Sequence, residues 1–200
     1  MAETQDLFSP AEAVEIRTWG DRGLQVASLR YFDCDGEFAR TVCQLVGAPL
    51  PKTCCATLAS KNPGGTWAML AWRSPTETLL LCDDAAMIQQ LGVAVATLED
   101  GCVVDQTGGA CVLRARSAGF EDLLSRMAGQ GTRPSLGKAK GCRLADVPMV
   151  VVQVERDEIL LIVDRMYVEH IMAWIRISVV ELGNLDPINE NASYGKIDHE

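Results

Sequence analysis

The sequence predicts an α+β domain in which two β-α-β-β-α half-repeats build mixed sheets with helices packed on them. Three observations lead there. Strand-like apolar runs and helical stripes recur in the same order over residues 24–92 and 103–178. Each half contains a hairpin whose second strand opens with Glu, so that Glu77-Thr78-Leu79-Leu80-Leu81-Cys82-Asp83 aligns with Glu158-Ile159-Leu160-Leu161-Ile162-Val163-Asp164. The helical runs are apolar on one side only, so each needs a sheet to cover its stripe. Two sheets with helices on one face of each then bury a common core.

The elements follow in order. Residues 1–22 have weak periodicity and read as an N-terminal arm. They include a short helical pattern over residues 11–16 and the apolar groups Phe8, Val14, Ile16 and Trp19, which are costly to leave in water. Residues 24–31 form a strand with apolar weight on both faces. Asp33-Cys34-Asp35-Gly36 is turn material, with Asp35 placed to N-cap the next helix. That helix aligns Phe38, Val42, Leu45 and Val46 and stops at Gly47, ahead of Pro49 and Pro51. Residues 54–58 read as a short strand and Asn62-Pro63-Gly64-Gly65 as a turn. Residues 67–72 and 77–82 make the first hairpin, and Asp83 or Asp84 caps a helix carrying Met87, Ile88 and Leu91.

The second half opens on Val103 and Val104, then Asp105-Gln106-Thr107-Gly108-Gly109, a turn sequence. A strand over residues 110–116 precedes Ser117, the expected N-cap of a helix with Phe120, Leu123, Leu124 and Met127 at i, i+3, i+4 and i+7. The hairpin around Glu155-Arg156-Asp157 and a last stripe of Tyr167, Ile171, Trp174 and Ile175 complete the repeat. Residues 23–182 thus form a single domain, and residues 183–200 a polar tail without a core of its own.

Composition narrows the function. Two hundred residues suffice for a self-sufficient core. A formal charge of -9 argues against nucleic acid as partner, because phosphate binding needs Lys and Arg to displace counterions. The acidic start lacks a secretory h-region and no apolar run is long enough to span a bilayer, so a cytoplasmic protein without membrane contact is expected. The eight cysteines lack C-x-x-C spacing and His170 and His199 stand alone, which argues against a zinc site and reads most cysteines as reduced, buried small hydrophobes.

Candidate chemistry is sparse. No G-x-G-x-x-G follows a strand, so a dinucleotide site is unsupported. No P-loop or nucleophile elbow appears, and no catalytic residue is assigned. His170 reads as a surface or boundary residue. Asp105-Gln106-Thr107 is either a ligand contact or turn chemistry, with the turn preferred. Cys54-Cys55 offers a redox pair, against which stands the strain of a vicinal disulfide. Trp67 and Trp72 are an odd number of residues apart and fall on opposite strand faces, so one belongs to the core and the other faces a partner. Phe8, Trp19, Trp67 and Trp72 are therefore the candidate partner-interface residues.

Two strings carry a resemblance. Val104-Asp105-Gln106-Thr107 followed by an apolar strand, then Ser117-Ala118-Gly119-Phe120-Glu121-Asp122-Leu123-Leu124, resembles the aminomethyltransferase (glycine-cleavage T-protein) superfamily. Within it, the chain is similar to the small gamma subunit of heterotetrameric sarcosine oxidase. The likeness runs through Gly47-Ala48-Pro49-Leu50-Pro51, Ala71-Trp72-Arg73-Ser74-Pro75-Thr76-Glu77-Thr78-Leu79-Leu80 and Cys142-Arg143-Leu144-Ala145-Asp146-Val147-Pro148. The resemblance implies a T-protein-like, folate-binding-like fold and a non-catalytic structural subunit of a flavoenzyme complex that oxidatively demethylates sarcosine or a related N-methyl amine. It also implies larger alpha- and beta-type partner subunits that hold the FAD, FMN, NAD and tetrahydrofolate. Folate-binding T-proteins continue into further C-terminal domains where this chain ends, and carry an Asn-Ala pair where this chain has Val163-Asp164. Asp105 is then the remaining folate candidate. The alternatives are a stand-alone tetrahydrofolate-binding protein of that superfamily and a small thiol redox protein.

Overall fold

The computed structural model describes residues 15–18, 24–59, 67–116, 120–128 and 133–181. Its elements are β1 (Glu15–Thr18), β2 (Gln25–Tyr31), α1 (Glu37–Val46), β3 (Ala56–Leu58), β4 (Ala68–Ser74), β5 (Glu77–Cys82), α2 (Ala85–Ala94) and β6 (Gly101–Asp105). The second half adds β7 (Ala110–Arg116), α3 (Phe120–Ala128), β8 (Ala139–Leu144), β9 (Val147–Glu155), β10 (Glu158–Asp164) and α4 (Val168–Glu181), which follows a 3-10 turn at Arg165–Tyr167.

Two five-stranded sheets result, ordered β6-β2-β5-β4-β3 and β1-β7-β10-β9-β8. Matched by repeat, the two orders are identical. The expected α+β fold with two sheets is what forms, but the mixed pairing is corrected: every described strand pair is antiparallel. The outer strands are exchanged between halves. β1 lies in the first half of the chain and pairs with β7 of the second sheet, while β6 opens the second half and pairs with β2 of the first. The arm expected over residues 1–22 is therefore in part an edge strand, and Glu15 and Ile16 are extended, not helical. A four-residue edge strand has too little alternation to announce itself; its partner strand fixes it.

Strand alternation assigns the layers. Val26, Met69, Ala71, Leu79 and Leu81 of the first sheet meet Val112, Val150, Val152, Leu160 and Ile162 of the second in one inter-sheet core. The opposite faces of the same strands carry Ala27, Leu29, Leu70 and Leu80 under α1 and α2, and Leu113, Val151, Ile159 and Leu161 under α3 and α4. The order is helices, sheet, sheet, helices, which is why β2 and β10 are apolar on both faces. At about 25 cal/mol per Å² of apolar surface, burial of each large side chain in these cores contributes roughly 2 kcal/mol.

Helix ends show how far local sequence decides. Gly47 ends α1 in the left-handed region at φ 77°, its N–H bonded to the Cys43 carbonyl. Asp84 caps α2 through Ala86 N–H, as its position predicts. The cap of α1 is not the neighbouring Asp35. Asp100, 62 residues on, accepts from Phe38 N–H at 3.0 Å, and a Cβ on Gly36 would come within 2.5 Å of that carboxylate. Ser117, the expected cap of α3, lies outside the described residues, as does the turn at residues 62–65.

Candidate functional site

The turn joining β6 to β7 is tied by hydrogen bonds to β2 and to the 3-10 turn after β10. Asp105 Oδ1 accepts the Thr107 N–H at 2.8 Å, an Asx turn of the kind Asp-x-Thr forms locally. Thr107 Oγ1 then accepts the Val26 N–H at 3.1 Å, tying the turn to β2. Arg165, placed by the 3-10 turn after β10, closes it from the other side: its Nε donates to the Gly108 carbonyl at 2.9 Å and its backbone N–H to Gly109. Asp105 itself is exposed. Nothing in the local sequence marks Arg165 for this task, since its partners lie more than fifty residues away.

Beside this turn a cleft of about 350 Å³ opens between the sheets. Val26, Leu79, Ala110, Val150 and Ile162 give it an apolar floor, and Arg73, Gln106, Arg143 and Asp164 add polar groups. Cys142 also lines it, but burial pushes that thiol up to about 11, so it stays protonated near neutral pH. This lining offers cations, an amide and one carboxylate, without a nucleophile held against a base.

Two glutamates that open corresponding strands are paired within the fold. Glu77 accepts from Ser28 Oγ at 2.6 Å and lies 3.3 Å from Arg73. Glu158 receives two guanidinium bonds from Arg114, at 2.7 and 2.6 Å. His170 is exposed at the surface, and its Nε2 lies 3.2 Å from the Ala145 carbonyl, a contact between α4 and the β8–β9 turn. Among the described residues the only grouping with metal-ligand proximity is Asp33, Cys34 and Asp35, all exposed in one turn.

The tryptophans partly follow their parity. Trp67 packs against the inter-sheet core, and Trp72, half-buried, shares the helix-side parity of Ala68 and Leu70. Phe8 and Trp19 lie outside the described residues. Two expectations are corrected. Helical periodicity groups Trp174 with Ile171 and Ile175, yet those two are buried while Trp174 is 44% exposed, next to exposed Ile177 on the outer side of α4. The stripe is narrower than the apolar sequence because α3 and the sheet cover only one side of the helix. All eight cysteines are free, but only Cys82 and Cys111 are buried, whereas Cys34, Cys54 and Cys102 are exposed. Those three sit in turns or on an edge strand, where apolar neighbours in sequence do not confer burial.

A protein-family model for the sarcosine oxidase gamma subunit matches residues 30–181. The chain belongs to that family. Among solved structures, heterotetrameric sarcosine oxidase from Corynebacterium sp. U-96, in complex with pyrrole 2-carboxylate, superposes with a TM-score of 0.75 at 18% identity, over 90% of each chain. The glycine cleavage system aminomethyltransferase T from Bartonella henselae superposes with a TM-score of 0.59 at 9% identity, over 77% of this chain and 43% of that one. The T-protein-like fold expected from the sequence is thereby shown. No curated protein sequence matches. Among the described residues no helix is long and apolar enough to cross a membrane. Family membership makes the chain a subunit of a sarcosine-oxidase-type complex, with other subunits as its partners.

Proposed function

We propose that this gamma-type chain is a non-catalytic structural subunit whose large alpha- and beta-type partners carry the flavins, NAD and tetrahydrofolate and oxidise sarcosine or a related N-methyl amine. The observation that carries the reading is the family match across 30–181. The commitment of the polar groups supports it: Glu77 and Glu158 are held in ion pairs, and Asp105 holds a turn. Amine oxidation puts the difficult chemistry on a flavin, and a protein contributes by positioning it. Asp105 uses one carboxylate oxygen on the Thr107 N–H and keeps a second, so it is proposed as the residue to test for residual folate contact. Trp174 and Ile177 on the outer α4 face supply apolar surface of the sort a partner covers, and Phe8, Trp19 and half-buried Trp72 are proposed as further partner contacts.

The test is reconstitution. The purified chain alone is expected to be colourless and to give no sarcosine-dependent peroxide. Co-expressed with alpha- and beta-type subunits, it is expected to co-purify with them in a flavin-containing complex. A flavin spectrum or turnover from the chain alone, or failure to join the larger subunits, overturns the reading. The compartment is proposed as cytoplasmic, checked by fractionating the producing cells.

A further inference from the structure

One seam outside the cleft places two reactive side chains together. Residues just before β3 pair with residues just before β8, joining the edge of the first sheet to the edge of the second. Ala56 N–H donates to the Gly137 carbonyl at 2.9 Å and Ala139 N–H to the Cys54 carbonyl at 3.2 Å. These two bonds flank a single antiparallel bridge between Cys55 and Lys138. They are the pattern of a non-hydrogen-bonded pair, the one in which facing Cα atoms approach to about 4.5 Å and side chains lie closest. The backbone at both residues is held on its far side as well: Trp72 N–H donates to the Cys55 carbonyl at 3.0 Å, and Gln153 N–H to the Lys138 carbonyl at 3.1 Å. Left-handed backbone at Cys54 (φ 56°) and Gly137 (φ 71°) turns each strand into the bridge. Lys138 Nζ consequently lies 3.1 Å from Cys55 Sγ, across 83 residues of sequence. Cys55 is half-buried and Lys138 exposed, so small oxidants reach the pair.

We propose that Cys55 and Lys138 form an oxidation-dependent covalent cross-link between the two sheets, with hydrogen peroxide as oxidant. Sulfur attacks one peroxide oxygen, the O–O bond breaks, and the thiol becomes a sulfenic acid with release of water; sulfur loses two electrons and peroxide gains them. The neutral Lys138 amine, having given its ammonium proton to solvent, then attacks that sulfur. An S–N bond forms, the S–O bond breaks, and a second water leaves, as when a backbone nitrogen traps a sulfenic acid. The reacting atoms already stand at near-attack distance, which favours this capture over capture by a thiol from solution. Reduction by excess dithiol returns the free amine and thiol.

The experiment treats the full chain with hydrogen peroxide, digests it without reductant and reads the peptides by mass spectrometry. A joined pair containing Cys55 and Lys138 is expected, about 2 Da lighter than the two peptides together. It should vanish after dithiothreitol, and the treated protein should melt at a higher temperature than the reduced one. Lys138→Arg keeps the positive charge but has no amine of the required nucleophilicity, so it should abolish the joined peptide while leaving the reduced melting temperature nearly unchanged. Cys54→Ser should leave the cross-link intact. Recovery of Cys55 as a free thiol, as a sulfinic acid or in a disulfide with Cys54, without the joined peptide, overturns the proposal. Persistence of the joined mass in Lys138→Arg overturns it equally.

Discussion

In the first sheet, Glu77 at the start of β5 accepts a hydroxyl bond from fully buried Ser28 and faces Arg73 and, at 3.8 Å, Arg30. In the second, Glu158 at the start of β10 is gripped by both arms of Arg114, with Arg116 at 3.7 Å. The registers make these equivalent places: Arg30 faces Glu77 across its strand pair and Arg116 faces Glu158, so Ser28 corresponds to Arg114. One half satisfies its carboxylate with a small internal hydroxyl and the other with a long side chain reaching the rim. The repeat therefore fixes where a carboxylate must be satisfied, while the partner is open to exchange. That is the expected result where desolvation of the acid is the large term and many donors meet it.

The harshest way to test whether the halves are one unit is Leu124→Asp. Leu124 is 1% exposed in the core under α3, and an unpaired carboxylate there should cost on the order of 4 kcal/mol or more. Because the halves share an inter-sheet core and exchange edge strands, loss of cooperative melting is expected in both sheets together. A two-step urea transition, with the first half surviving, would show that the halves fold separately. Next in size is the carboxylate comparison itself. Glu158→Gln removes a nearly buried acid from a bidentate pair and should cost about 2–3 kcal/mol, discounted because Arg114 is 41% exposed. Glu77→Gln keeps an acceptor for Ser28 and should cost about 1 kcal/mol. Urea midpoints of the two variants decide it; an equal loss would mean the two solutions are energetically the same. Thr107→Val should cost about 1 kcal/mol, since it strips Val26 N–H of its acceptor. Hydrogen exchange should quicken at the β6–β7 turn and β2 and leave the β9–β10 hairpin unchanged.

Much of the layer order was legible. The duplicated hairpins, the apolar faces of β2 and β10, the Gly47 stop and the Asp84 cap are local consequences of alternation and turn chemistry, and they form where the sequence predicts. What escaped depends on distance along the chain. The exchange of β1 and β6, the Asp100 cap on α1 and the Arg165 clamp each join residues that carry no mutual signal in periodicity or spacing. Asp105 was legible as turn chemistry because an Asx turn is closed by the next two residues. Cys54-Cys55 is a vicinal pair in sequence, but the amine beside Cys55 Sγ is that of Lys138, brought there by the bridge between the sheets. Trp174 was misplaced because helical periodicity gives an apolar side without saying how wide a neighbour covers it.

The smallest expected effect separates the halves by pH. Burial raises the Cys82 thiol of β5 to about 11, and burial likewise raises Cys142 of β8 to about 11, from an ordinary value of 9.0. Below the unfolded value both forms of the chain hold these protons and neither thiol affects stability. Between about pH 9 and about pH 11 the unfolded chain loses protons that the folded chain keeps, so it binds fewer, and stability falls as pH rises through that window. The two thiols differ in setting. Cys82 has no exposed surface, whereas Cys142 is half-buried beside the cleft, where water screens a thiolate. The Cys82 thiol is accordingly the better shielded from water. Urea midpoints in reductant from about pH 8 to about pH 11 should decline more gently in Cys82→Ala than in the parent, and Cys142→Ala should flatten the curve less. The comparison rests on slopes, because each truncation also removes packing that lowers the midpoint at every pH. Equal flattening by both variants would mean that the cleft beside Cys142 is as dry as the core under α2. An unchanged slope in Cys82→Ala would mean that its thiol titrates in the folded chain as it does in the unfolded one.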